Sequence, residues 1–182
     1  MAPRDPSPLV AFKETWRLPK DQLVLDGIST KSLREGREIL EAFVAFEREL
    51  SESSQMRPGM REVLARLRQL ETRLALLTNN HQASAEIALA KHRLEFDLVL
   101  TRDQARLKPA PDLLLKALDR FALRPSEVLY VGDSKADKDA AQAAGVEVLF
   151  LATPHNHSLA PRYQTAYQLW ATLEERIAAA SS

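Results

Sequence analysis

The sequence predicts an α/β fold, a parallel sheet covered by helices, and three observations carry that prediction. Short apolar runs alternate with helical segments between residues 74 and 151, polar residues stand where those runs end, and the chain before residue 70 shows helical spacing only. Strands alternating with helices are the signature of a doubly wound parallel sheet.

The elements follow in chain order. Pro3, Pro6 and Pro8 crowd the first eight residues and remove amide donors that a paired strand needs, so no strand is expected there. Residues 9–16 and 32–50 read as helices; in the second, Ile39, Leu40, Phe43, Val44 and Leu50 share one face, and Ser32 and Glu35 have the spacing of a capping box. Residues 51–55 read as a polar turn. Pro58-Gly59 then introduces a helix whose Met60, Val63, Leu64, Leu67 and Leu70 keep the three-four spacing.

From residue 74 the pattern changes. Residues 74–78, 97–101, 128–131 and 146–151 are short, nearly continuous apolar runs, as strands buried on both faces would be. Helices are expected between them over 83–93, 111–122 and 136–144, the last closed by Gly145. A final helix is expected to carry Tyr163, Tyr167, Leu169, Trp170, Leu173 and Ile177.

Composition narrows the function classes. The 182 residues hold 25 Lys plus Arg against 25 Asp plus Glu, so the chain has no net charge and no basic footprint for nucleic acid. With no cysteine, disulfides, thiolate metal sites and thiol nucleophiles are excluded, which fits a reducing compartment. No stretch approaches the ~18 apolar residues of a membrane span, and no signal-peptide core is visible. The expectation is a soluble, cytoplasmic protein of one domain, or one domain with a small insertion, with no nucleic-acid or membrane partner.

Ligands of open parallel sheets bind outside the carboxyl ends of the strands, so three polar clusters there matter most. Thr78-Asn79-Asn80 follows the first strand and precedes a helix, where a hydroxyl and free amides suit a phosphate oxygen; alternatively Thr78 and Asn79 cap that helix. Lys108 lies between Leu107 and Pro109, and with Pro111 nearby the segment is expected to be extended and the ammonium aimed at an anion; the alternative is an exposed surface lysine. In Val131-Gly132-Asp133-Ser134, the glycine is expected to let the chain turn off the strand so that Asp133 projects toward a hard cation. Asp137 would orient that cation's shell, or simply complete a capping box with Ser134 and complement the helix dipole.

In order and context, Leu77-Thr78-Asn79-Asn80, Leu107-Lys108-Pro109-Ala110-Pro111-Asp112 and Val131-Gly132-Asp133-Ser134 through Asp137 to Gly145 resemble the haloacid dehalogenase superfamily of hydrolases, in its phosphoglycolate phosphatase-like branch. The resemblance covers residues 5–153. It implies a Rossmann-like core over 58–182, a small helical cap over 10–57 and an N-terminal segment over 1–9. It also implies magnesium-dependent hydrolysis of a small phosphorylated metabolite, of phosphoglycolate or sugar-phosphate type, through an aspartyl-phosphate. Thr78 would bind the transferring phosphoryl group with Asn79 beside it, Lys108 would steady the charge on phosphate and nucleophile, Asp133 would ligate magnesium and Asp137 would support it.

The departure from the family pattern is the nucleophile. The Asp-x-Asp motif that ends the family's first, central strand is absent: Asp5 falls where the chain is already leaving for the cap, and Asp26-Gly27-Ile28 lies within the cap stretch with no core strand before it. Without that strand, the strands ending at Thr78 and Asp133 stand two spacings apart, ~9–10 Å, with unpaired backbone between them. Either they pair directly, or another chain fills the slot, or an in-frame upstream stretch supplies the strand and its aspartates. A non-catalytic phosphate- or partner-binding protein is the alternative function. His155 and His157 read as an exposed loop rather than a metal site, and His81 as a surface residue near the crevice.

Overall fold

The computed structural model describes residues 7–154 and 156–180, and the chain divides into two compact units, residues 1–50 and 51–182. Asp5 and His155 lie outside the described residues.

The first unit is helical. α1 (Pro8–Thr15) begins with Ser7, whose hydroxyl accepts from the Val10 amide, and α2 (Val24–Ser29) follows a loop closed by Lys13. That lysine is buried, and its ammonium donates to the carbonyls of Lys20 and Gln22, which satisfies the charge with backbone dipoles. α3 (Leu33–Ser53) presents Ile39 and Phe43 to Phe12, Leu18 and Val24; the ring centroids of Phe12 and Phe46 are 4.9 Å apart. Ser32 caps α3 through the Glu35 amide as its spacing predicts. The polar turn expected over 51–55 is shorter, because α3 continues to Ser53.

The second unit is the α/β part. α4 (Met60–Gln69) starts after Gly59, whose φ of 80° and contact with the Tyr167 ring, 3.0 Å from where a Cβ would stand, leave no place for a side chain. Then come β1 (Ala75–Leu77), α5 (Gln82–His92), β2 (Leu98–Leu100), α6 (Asp112–Phe121), β3 (Leu129–Gly132), α7 (Lys135–Ala144), β4 (Glu147–Leu151), β5 (Arg162–Tyr163) and α8 (Ala166–Ala180). β5 is not expected from the sequence: Tyr163 pairs beside β4 instead of entering the last helix, which starts three residues later. Two residues are too few to display a strand's alternation.

All ladders are parallel, but they form two separate sheets, β1-β2 and β3-β4-β5. β1 and β3 share no ladder, so of the alternatives left open by the sequence direct pairing does not occur, and the sheet is split between them. Side-chain alternation builds two cores. Tyr130 and Val148 join Leu77 and Leu100 against α6 and α7, whereas Leu129, Val131 and Leu149 pack against α4 and α8 through Val63, Leu169 and Trp170. No described helix is long and apolar enough to cross a membrane.

Leu149 is 1% exposed at the centre of the three-stranded sheet. Leu149→Ala is expected to lower unfolding free energy by ~2–5 kcal/mol, measured by urea denaturation followed by circular dichroism.

Candidate active site

The carboxyl ends of β1 and β3 are joined by one side chain. The Lys108 ammonium donates to the Leu77 carbonyl (3.1 Å), the Tyr130 hydroxyl (2.9 Å) and Asp137 Oδ1 (2.8 Å), using all three of its hydrogens. Lys108 and Asp137 side chains are only 12% and 6% exposed. The reading of Lys108 as a free surface lysine is therefore excluded. The extended segment expected around it is instead a turn, with the Ala110 amide donating to the Leu107 carbonyl. The aim comes from Asn79, whose side chain donates to the Lys108 carbonyl and accepts from the Lys108 amide, both at 2.9 Å.

Thr78 and Asn79 do not cap α5. His81 does, accepting the Ala83 amide on Nδ1, while its Nε2 stands 3.7 Å from Asp103. The Thr78 oxygen accepts from the Asn80 amide at 3.1 Å, which leaves its hydroxyl proton for another acceptor.

Asp137 closes the capping box with Ser134, so the structural alternative for this residue holds, but it does more. Its Oδ1 accepts from Lys108 and Tyr130, and its Oδ2 from the amides of Asp133 and Ser134 and from the Ser134 hydroxyl. Burial alone would raise this carboxyl; the Lys108 charge and the hydrogen bonds from Lys108, Ser134 and Tyr130 outweigh it and hold it at about 2. Burial and the Asp137 charge push the Tyr130 phenol far upward, so it stays a neutral donor.

Gly132 is required for a different reason from the one its position suggests. A Cβ there would stand 2.5 Å from Asp137 Cβ and 2.8 Å from its Cγ, so the glycine makes room for the carboxylate to fold back over the strand end.

Asp133 is the contrasting carboxylate. Its side chain is 55% exposed, with Arg57 Nη2 at 3.8 Å from Oδ2. Its pKa is raised, by desolvation first and the Asp137 charge second, against the opposing charges of Arg57 and Lys108. A crevice of about 360 Å³ opens beside it, lined by Ser134, Lys135, Lys138 and Asn156.

Two residues of this neighbourhood are not singled out by the sequence. Arg57 also donates to the Ala152 carbonyl at 2.9 Å, and Asn156, 4% exposed, donates to the carbonyls of Asp133 and Leu151 and accepts the Thr153 amide. Asn156 thus ties the Asp133 loop to the end of β4. His157, exposed, pairs with Arg162. Asp26 lies exposed in α2 of the helical first unit, with no strand before it among the described residues.

These residues do not by themselves fit a resident magnesium ion, which takes a near-octahedral oxygen set. Among the described residues no group of three or more His, Cys, Asp or Glu side chains is arranged to hold a metal, and both Asp137 oxygens are already engaged. Of Asp133 and Asp137, Asp133 keeps an accessible carboxylate, and Asp139, paired with Lys135, lines the same crevice.

Residues 15–151 match the family model described as haloacid dehalogenase-like hydrolase, and the chain belongs to that family. It is 37% identical over 115 residues to a phosphoglycolate phosphatase of Nitrosospira multiformis, covering 62% of this chain and 51% of that protein. It is 35% identical over 106 residues to a phosphorylated carbohydrates phosphatase of Thermotoga maritima, covering 57% and 49%. The chain thus spans about half the length of these curated relatives. Among solved structures, a HAD-superfamily hydrolase of subfamily IA from Geobacter sulfurreducens superposes with a TM-score of 0.64 at 28% identity, covering 91% of this chain and 89% of that one. A hydrolase from Pseudomonas syringae shares the fold at a TM-score of 0.69 and 24% identity, covering 81% and 73%.

Two outcomes test the site. Because Asp137 is held near 2 in the folded chain against an ordinary 3.8, its stabilisation is complete above pH 3.8 and fades as pH falls toward 2. Asp137→Asn is expected to lose ~2 kcal/mol at pH 7 and to flatten acid denaturation across that window, read by urea melts at stepped pH. Gly132→Ala is expected to cost ~1–3 kcal/mol by displacing Asp137, measured the same way.

Proposed function

We propose that this chain carries the phosphate-handling half of a phosphomonoester hydrolase of the haloacid dehalogenase-like family, acting on a small phosphorylated metabolite of phosphoglycolate or sugar-phosphate type. The observation that carries this reading is the fixed Lys108 ammonium, spanning the ends of β1 and β3 between Thr78 and Asp133. An anion arriving there meets a buried cation whose direction is already set, so little reorganisation is needed when charge builds on the phosphoryl group.

In this reading Thr78 donates its free hydroxyl proton to a phosphoryl oxygen. Asn79 acts through Lys108, whose backbone it braces, rather than by direct contact with phosphate. Lys108 offsets the repulsion between the phosphate and an attacking carboxylate. Asp133 is the group for a divalent cation, magnesium by family resemblance, and Asp137 supports it by holding the Asp133 amide; further oxygen ligands would have to come from outside the described set. The same holds for the nucleophile, since neither Asp133 nor Asp137 stands free beside Thr78 with a carboxylate to attack. We retain residues 10–57 as the cap, 58–182 as the core and 1–9 as the segment before them.

The second reading, a non-catalytic phosphate- or partner-binding protein, is favoured by the full engagement of Asp137. On the chain as it stands both readings expect phosphate binding without turnover, and labelling of a carboxylate during turnover would exclude the second. Calorimetry is expected to show phosphoglycolate or orthophosphate binding that Lys108→Ala weakens at least tenfold, with no turnover of p-nitrophenyl phosphate in magnesium above background. Anion binding unchanged by Lys108→Ala would overturn the assignment of the site. Sustained turnover with labelling of a carboxylate would show that the chain holds its own nucleophile.

A further inference from the structure

Lys108 and Arg57 divide the strand ends between them. Lys108 spans the ends of β1 and β3, and Arg57 spans those of β3 and β4: its Nη1 donates to the Ala152 carbonyl at 2.9 Å, just past β4, while its Nη2 stands 3.8 Å from Asp133 Oδ2, just past β3. Burial and the Asp137 charge raise the Asp133 carboxyl, and both cations pull it down, so both lie within electrostatic reach of it. They differ in what they leave for a ligand. All three Lys108 hydrogens are engaged, so this residue offers an anion its charge but no free donor. The Arg57 guanidinium carries five N–H groups and, among the described residues, makes one hydrogen bond; at 3.8 Å the pair with Asp133 is too long to be a second.

The Arg57 side chain is 41% exposed, so a solute can reach it, yet its direction is set. Ala152 holds one edge of the fork, Asn156 holds the carbonyls of Asp133 and Leu151, and the chain just after Arg57 is anchored where Gly59 meets the Tyr167 ring. A planar guanidinium matches a carboxylate through two parallel hydrogen bonds, and a fork already held in place loses little freedom when it binds one. Because Arg57 already faces one acidic group, a carboxylate with its single charge is a better match than a second phosphate, which brings about −1.5 to −2.

We propose that Arg57 is the specificity-determining residue of the site, its free donors binding a carboxylate that the phosphomonoester carries beside its phosphate. The ends of β3 and β4, paired strands, lie ~4.8 Å apart, so the two anionic groups stand only a few bonds from each other, as on a small phosphorylated hydroxy acid. A neutral sugar phosphate has nothing to offer the fork. The proposal rests on the phosphate-binding reading above, in which Thr78 and Lys108 take the phosphate, and it narrows the substrate class of that same site.

Calorimetry on the full chain compares three ligands: phosphoglycolate, its amide, in which a neutral group of the same shape replaces the carboxylate, and orthophosphate. The unaltered chain is expected to bind phosphoglycolate at least tenfold more tightly than the amide, as charge-assisted hydrogen bonds warrant. Arg57→Ala and Arg57→Gln are each expected to remove that preference and to leave orthophosphate affinity within about twofold. Lys138→Ala, which takes another positive charge from the crevice beside Asp133, is expected to keep the preference. No preference in the unaltered chain, or one that survives both Arg57 variants, would overturn the proposal. So would equal weakening of all three ligands by loss of Arg57, which would place that residue on the phosphate, or an equal loss of preference in Lys138→Ala, which would reduce the effect to general attraction. If the unaltered chain binds none of the three, the phosphate-binding reading fails and takes the proposal with it; orthophosphate binding that Lys108→Ala weakens, without discrimination between phosphoglycolate and its amide, overturns the proposal alone.

Discussion

The buried ion pair between Lys108 and Asp137 is the interaction on which the rest of the site depends. One ammonium reaches the end of β1, the phenol on β3 and the first turn of α7, elements that no backbone ladder connects. Such pairs add little net stability over an apolar substitute, yet removing one partner leaves the other charge buried and uncompensated. The arrangement is thus better understood as fixing geometry than as supplying stability. It sets Lys108 by a backbone brace from Asn79 and sets the Asp133 loop by amide bonds to Asp137, with Asn156 holding the far side.

The two aspartates, four residues apart, divide the work through their surroundings. Asp137 is surrounded by donors and kept ionised; Asp133 is left more than half exposed, beside a partly exposed arginine, and its pKa rises. Adjacent carboxylates with opposite shifts mark one as structural and the other as available to a ligand. The split sheet sets the limit of that division. The residues that steady charge are present on both banks of the gap, but among the described residues neither Asp133 nor Asp137 is free to attack a phosphate there.

Much of this was legible in the sequence. Apolar runs ending at Thr78 and Asp133 located two strand ends, because a strand covered on both faces admits few polar residues and the first one marks its exit. Order and spacing of Thr78, Lys108 and Asp133 brought the family into view, and the strand that the pattern lacks left direct pairing of β1 and β3 as one of three outcomes, which the split sheet excludes. What was not legible depends on contacts between distant residues. Arg57 and Asn156 lie 76 and 23 positions from Asp133 and belong to no local pattern. Gly132 looked like a turn residue, whereas its role is to admit a side chain that only the folded α7 brings near. Tyr130 read as one more apolar residue of a strand, since its hydroxyl finds Asp137 only after the strand-to-helix turn closes. β5 was too short to have a period, and the C-terminal helix was drawn over it.

Nitrogen-15 NMR of the lysine ammonium groups tests the central claim most directly. If Lys108 is locked between Leu77, Tyr130 and Asp137, its ammonium protons should be visible at neutral pH and exchange slowly with water, and the signal should broaden away in Asp137→Asn. A Lys108 ammonium that exchanges as fast as the exposed Lys20, in the unaltered chain, would contradict the account.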